Sequence, residues 1–385
     1  MSFEIEDTLV LWPRVSTADA ALRPTRAEID LGAITHNFRV LASLVPGTRV
    51  LAVVKADAYG HGVVPVARTL EAAGAFGFGV ALAEEGLELR DAGIRGAILV
   101  LNGVHGRAHR DIVERGLTPV VYEEREARAF ASLPGESRIG IHLKIDTGMS
   151  RLGVPHRALD PFLDRLEALG RLRIDGVMTH LASADVDPEF TALQLARFGA
   201  SLDRLRERGH RPSIIHAANS PATFRHPEAR FDMVRTGLAL FGYAGADEVS
   251  ADLRPAMRLR SEIISLRDLD PGETVGYCGT FRAERRTRIA TVPIGYGDGY
   301  FRAFSNRGSV LVRGVRCPVV GNVSMDLTGI DVTDLEDVEV GDEVVYLGDQ
   351  GPDSLSAVEL AARIGTIPYE ILTNVSRRVP RFYAG

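Results

Sequence analysis

Between residues 25 and 256 the chain alternates between short β-branched apolar runs and longer stretches rich in Ala, Leu, Arg and Glu at helical spacing. The apolar runs are VLAVVKA (50–56), FGFGVA (76–81), AILVL (97–101), LTPVVY (117–122), IGIHLKI (139–145), IDGVMTH (174–180), SIIHAA (213–218) and FDMVRTG (231–237). Helical runs such as 83–93 and 190–209 lie between them. Strands buried on both faces read as unbroken apolar runs, and parallel neighbours need a crossover between them. Eight such units predict an α/β chain with a (β/α)8 TIM-like barrel over 24–256. An open doubly wound sheet ranks lower, because the count is eight and no Gly-x-Gly-x-x-Gly turn follows a first strand. One more strand candidate, AEIDL (27–31), could belong to either domain. From about 257 the texture changes to alternating runs broken by Pro-Gly and Gly-Asp turns, which predicts a C-terminal β-rich domain over 257–385. A late helical run, 355–365, sits inside it, and residues 1–23 read as an N-terminal extension.

Composition narrows the function classes. The 385 residues are 45% hydrophobic and 25% charged, with a net charge of −6 and scattered arginines. No global field favours nucleic acid or an anionic membrane, so neither is expected as a partner. Two cysteines, Cys278 and Cys317, have no metal spacing and form no disulfide framework. No metal site is expected. The N-terminus lacks a basic, then apolar, signal pattern, and no apolar run is long enough to span a bilayer. The expected location is cytoplasmic.

Barrel active sites lie at the C-terminal ends of the strands. Lys55 follows the first strand; Lys144, Asp146 and Arg151 sit at or after the end of the fifth; His180 ends the sixth. His216, Asn219 and Ser220 follow the seventh, and Arg235, Thr236 and Gly237 end the eighth. A lysine, a histidine and two arginines on one rim suit an anionic ligand. Lys55 alone fits a salt-bridge partner or a Schiff-base lysine of depressed pKa equally well. The loops after strands seven and eight, at Ser220 and at Gly237-Leu238, are where barrels commonly hold phosphate. Ser220 also fits a helix N-cap, and the two roles are compatible. A lysine and a phosphate cradle on one rim are what pyridoxal 5'-phosphate (PLP) needs. The residues alone lead to a PLP barrel and leave its reaction open.

Nine motifs then occur in one order: AVVKADAYGHG (52–62), HLKIDTGMSRLG (142–153), THLASAD (179–185), HAANS (216–220), VRTGLALFGY (234–243), VGYCGTF (275–281), VPIGYGDGY (292–300), GNVSMD (321–326) and YEIL with SRRVPR (369–381). With them the chain resembles the bacterial alanine racemases of PLP fold-type III over residues 25–385. The resemblance implies a PLP barrel followed by a β-rich domain, working as a homodimer with shared active sites. It implies interconversion of L- and D-alanine by a two-base mechanism, supplying D-alanine for peptidoglycan. Lys55 would hold the cofactor and serve one face, and Tyr277 of the second subunit would serve the other. His180 and Arg235 would link that tyrosine to the cofactor, with Arg235 facing the ring nitrogen as a donor only.

The same resemblance gives Tyr59, Ser220, Gly237, Leu238 and Tyr369 as phosphate contacts. Arg151, Met325 and Asp326 would meet the substrate. Lys144 stands where many members carry a carbamylated lysine; an unmodified lysine near Asp146 is the alternative. Tyr296 and Asp185 match entry positions. Asn322 and Cys278 depart from the arginine and glycine usual there. A racemase of the same family acting on serine, or on a broader set of amino acids, would carry the same residues.

Overall fold

The computed structural model describes residues 22–244 and 252–385. The expected extension lies outside them, apart from its last two residues. The described chain divides into two compact units. One comprises Asp30–Ala256 with Ile367–Thr373, the other residues 22–29 with Met257–Thr366 and Asn374–Ala384. No helix among the described residues is long and apolar enough to cross a membrane.

The first unit is a nearly closed barrel of eight parallel strands. In order around the ring they are Arg49–Val53, Gly77–Val80, Ala97–Val100, Thr118–Val121, Ile139–Asp146, Leu172–Met178, Ile214–His216 and Met233–Thr236. The last strand returns to the first, with Arg235 opposite Leu51. Between the seventh and eighth, the Asp232 amide donates to the Ile215 carbonyl at 3.0 Å and the Arg235 amide to that of Ala218 at 2.9 Å. Leu51, Leu99 and Met233 form a fully buried cluster inside the ring. All eight apolar runs became strands, most of them buried on both faces.

Their ends differ from the sequence pattern. The first strand stops at Val53, so Lys55 lies beyond it, and the sixth stops at Met178, two residues before His180. In both places the polar segment leaves the ladder to form the rim. The helix between the sixth and seventh strands runs Pro188–Glu207, because the Asp187 carboxylate accepts from the Phe190 amide at 2.9 Å and Pro188 sits in its first turn.

The second unit is β-rich. One sheet orders Val315–Pro318, Ser309–Val312, Glu343–Gln350, Met257–Glu262, Arg26–Asp30 and Arg381–Ala384, with Asp353–Leu355 paired to Glu343–Gln350. The AEIDL segment thus joins this sheet, antiparallel to Met257–Glu262 with Ala27 opposite Leu259. A three-stranded sheet combines Ser265–Leu269, Thr287–Val292 and Thr328–Asp331. Leu311, Val345 and Leu355 form a buried cluster of this unit. Arg23 donates to the carbonyls of Pro293 and Arg378 and pairs with the buried Asp298.

Candidate active site

One cavity of about 120 Å³ opens at the C-terminal ends of the barrel strands. It gathers Lys55, Tyr59, Lys144, Arg151, His180, Ser220, Arg235, Gly237, Leu238 and Tyr369, every barrel-unit residue the sequence singled out for catalysis, cofactor or substrate. Its other lining residues are Val53, Leu101, Asn102, Met178 and Asn219. Lys55, Lys144, Arg151 and Arg235 put four cationic side chains around a small space whose lining holds no carboxylate. Such a site favours an anion.

Lys55 is followed by an unusual backbone. Ala56, Asp57, Ala58 and Tyr59 have φ of 53°, 54°, 53° and 54°, four consecutive non-glycine residues in the left-handed region. Each costs about 1–2 kcal/mol relative to right-handed backbone. The turn closes on itself through the Ala58 amide to the Val54 carbonyl (2.8 Å) and the Gly60 amide to the Ala56 carbonyl (3.0 Å). Its exit is held by the Asp57 carboxylate, which accepts from the Val63 amide at 2.6 Å. Gly60 (φ 81°) lies so close to the Leu372 carbonyl oxygen that a Cβ would stand 2.4 Å from it.

The turn delivers Tyr59 between Phe241 and Tyr369, with ring centroids 5.2 and 5.9 Å away. A Cβ on Gly237 would stand 2.3 Å from the Tyr59 hydroxyl, so phenol and backbone meet without an intervening side chain. The Ser220 hydroxyl accepts from the Gly237 amide at 3.0 Å and the Ala239 amide at 3.4 Å. Ser220 begins its helix, but the cap is Asn219, whose side chain accepts from the Ala222 amide at 3.1 Å. Asn219 thus leaves the serine hydroxyl to the eighth-strand loop. Phenol, hydroxyl and N–H groups meet at a glycine with no Cβ, a cradle for a phosphate.

Arg235 is buried and its hydrogen-bond partners are neutral. It donates to the Thr179 and Ala217 carbonyls at 2.9 Å, to His216 Nδ1 at 3.1 Å and to His180 Nδ1 at 3.3 Å. A guanidinium has no acceptor, so both Nδ1 atoms accept and each ring carries its proton on Nε2. His216 Nε2–H then donates to His142 Nδ1, 2.8 Å away. Burial and the Arg235 charge hold His180 and His216 well below the ordinary histidine range. Burial alone lowers Arg235 to about 10. His142 was not singled out from the sequence. Strand parity could have found it, since it shares a face with Lys144 two residues on.

The two lysines are both shifted. Burial, then Arg151, lowers Lys55, and Glu85 opposes this. Burial, then Arg235, Arg151 and Lys55, brings Lys144 down to about 8, against Asp146. Lys144 lies 5.9 Å from the Tyr122 ring centroid and donates to the Leu101 carbonyl at 3.4 Å. The Tyr122 hydroxyl donates to the Asn102 carbonyl at 2.7 Å.

Tyr277, Met325 and Asp326 belong to the β-rich unit. Tyr277 starts the short helical turn Tyr277–Gly279 and is 73% exposed. Cys278 in that turn has φ 63°, and the Asn322 side-chain amide donates to the Tyr277 carbonyl at 2.8 Å. Cys278 and Asn322 therefore serve the same turn. Met325 is half exposed, its carbonyl accepting from the Gly297 amide at 2.9 Å, and Asp326 pairs with Arg378 at 2.7 Å.

The models for the alanine racemase N-terminal domain and C-terminal domain match residues 29–245 and 256–383. An alanine racemase of Sorangium cellulosum is 48% identical over 376 residues, covering 94% of this chain and 99% of that protein. The crystal structure of an alanine racemase from Bacillus anthracis with bound L-Ala-P superposes with a TM-score of 0.89 at 36% identity, covering 95% of this chain and 96% of that one. An alanine racemase of Bartonella henselae with covalently bound pyridoxal phosphate gives 0.86 at 31% identity, covering 94% and 99%.

Proposed function

Because the chain belongs to the alanine racemase family, we propose that it interconverts L- and D-alanine using PLP held covalently at Lys55, with Tyr277 as the second base. The observation that carries this reading is the pairing, in one cavity, of Lys55 with the Tyr59, Ser220 and Gly237 cradle. That donor set fits a phosphate monoester whose aldehyde reaches an amine. When bound, PLP supplies the electron withdrawal that makes the Cα–H of an attached amino acid acidic.

The protein's own residues would supply the rest. Racemisation needs a proton group on each face of the substrate, because one base cannot serve both without moving. Burial, then Arg151, shifts the Lys55 amine towards its neutral form, the form able to accept a proton. Tyr277, exposed on its turn, would serve the opposite face in a homodimer, supplied by a second copy of the chain. His180 would relay between that phenol and Arg235. Arg235 offers only donors, so wherever it meets the ring nitrogen it disfavours that nitrogen's protonation. This would weaken the electron sink and limit side reactions such as transamination.

Arg151, with Met325 and Asp326, would hold the substrate carboxylate. Lys144 has the amine a carbamate requires, since only the neutral form adds carbon dioxide, and the product would set a negative charge beside Arg151 and Arg235. The D-alanine formed would feed cell-wall peptidoglycan. The reading is tested by incubating the protein with L-alanine and PLP and separating the enantiomers by chiral chromatography. D-alanine should accumulate to a near-equal mixture. Faster racemisation of L-serine than of L-alanine would move the substrate assignment to serine.

A further inference from the structure

We propose that Glu85 is a positioning residue for Lys55: its carboxylate ties the left-handed turn that follows Lys55 to the next βα loop and sets a negative charge against the amide next to the lysine. The proposal rests on the reading of Lys55 as the cofactor lysine.

The turn over residues 56–59 needs outside support, because it contains no glycine and every residue in it is left-handed. Its exit is tied by Asp57 and by the close approach of Gly60 to Leu372. At its entry, the residue directly after Lys55 donates its amide to Glu85 Oε1 at 2.6 Å. The other oxygen, Oε2, accepts from the Ala81 amide at 2.7 Å and the Leu82 amide at 3.1 Å. One carboxylate thus satisfies three backbone donors on two loops. Glu85 is the third residue of the helix Ala83–Asp91, where a glutamate ordinarily reaches back only to its own N-cap amide. The bond to Ala56 is additional to that local role. It joins the loop after the first barrel strand to the loop after the second.

The charge has its own consequence. The titratable groups that line the cavity with Lys55 are the phenols Tyr59 and Tyr369 and the basic Arg151, Lys144, His180 and Arg235, the last four from the fifth, sixth and eighth strands or the loops after them. Glu85 is the carboxylate that opposes them, from the second. It favours the ammonium form of Lys55 and also disfavours ionisation of Tyr59. Removing the charge leaves Lys55 neutral to lower pH. Removing the acceptor frees the backbone at Ala56.

The test separates these roles in the full-length protein. Glu85→Gln loses the charge and one of the two acceptor oxygens; Glu85→Ala loses the charge and both. Amide hydrogen exchange reads the tie, with protection of the Ala56 amide expected to fall about tenfold or more in Glu85→Ala. Borohydride trapping of added PLP on the Lys55 peptide, followed by mass across a pH series, reads the charge. The midpoint should move to lower pH in both variants. Unchanged Ala56 protection in Glu85→Ala, or an unchanged midpoint in Glu85→Gln, overturns the proposal. If Glu85→Ala does not fold, Glu85→Asp, with its carboxylate drawn back by one methylene, must show the same loss of protection. A wild-type protein that traps no PLP at Lys55 would refute the cofactor-lysine reading instead, and the exchange measurement would still decide the tie.

Discussion

Lys55 and Lys144 share one cleft, and burial lowers both, but they face different charges. Lys55 has Glu85 to offset Arg151, whereas Lys144 meets three cations and has only Asp146 against them. Carbon dioxide therefore has a neutral amine to meet at Lys144, and 13C-bicarbonate should give a protein-bound carbamate resonance that disappears in Lys144→Met. The two proposed bases should separate cleanly on mutation. Lys55→Ala should abolish covalent PLP attachment. Tyr277→Phe should retain attachment, since Tyr277 lies in the β-rich unit and outside the cradle, while turnover falls by about 10²–10⁴. Exchange of the α-hydrogen with solvent should fall unequally for the two enantiomers, because each base removes the proton from one enantiomer only, whereas kcat/KM for racemisation falls equally in both directions. Absorbance of the bound cofactor and deuterium wash-in from each enantiomer check this.

Loops rather than strands carry the unusual physics. Leu101 and Asn102 line the cavity, and the loop they begin is held by side chains from neighbouring elements, among them Glu126 on the helix Glu124–Ala131. Glu126 is buried, with Oε1 accepting from the Val104 amide at 3.0 Å and Oε2 unpartnered. Burial raises its carboxyl to about 7, well above the usual carboxylate range. The folded protein thus keeps a proton that the unfolded chain releases near pH 4.5. Glu126 then subtracts stability progressively as pH rises from about 4.5 to about 7, and by a constant amount above. Glu126→Gln keeps the oxygen that Val104 needs, so its melting temperature should gain on the wild type from pH 5 to pH 7 and level off beyond. The gain corresponds to about 3 kcal/mol at most. A constant difference across that range would show that the group is not protonated in the fold.

The same contrast explains what was legible in the sequence. The eight barrel strands could be read because double-sided burial leaves long apolar runs, and Ser220, Arg235 and Gly237 could be read because barrel rims are functional. The turn at 56–59 could not, because left-handed backbone is normally signalled by glycine and none is present there. Glu85 was equally hidden, since its partner lies 29 residues away and a helix-start glutamate already has a local explanation. His142 was masked by the apolar run around it. Asn219 took the cap that fitted Ser220, because in a seventh-strand loop running directly into a helix either residue could end up first.

At the scale of the whole molecule, the chemistry divides between two units. The proposed cofactor lysine and phosphate cradle lie in the barrel and Tyr277 lies in the β-rich unit. If Tyr277 reaches Lys55 of a second copy, neither copy has a complete site alone, and specific activity should fall on dilution as the dimer dissociates. A sharper consequence follows from symmetry. Lys55→Ala and Tyr277→Phe are each inactive as homodimers under this account. A mixed dimer has one site with both defects and one with neither. Mixing the two purified variants under conditions that allow subunit exchange should restore D-alanine formation to about a quarter of the wild-type specific activity, since half the dimers are mixed and each has one intact site. No recovery, with exchange verified by native mass spectrometry, would contradict a site shared between subunits.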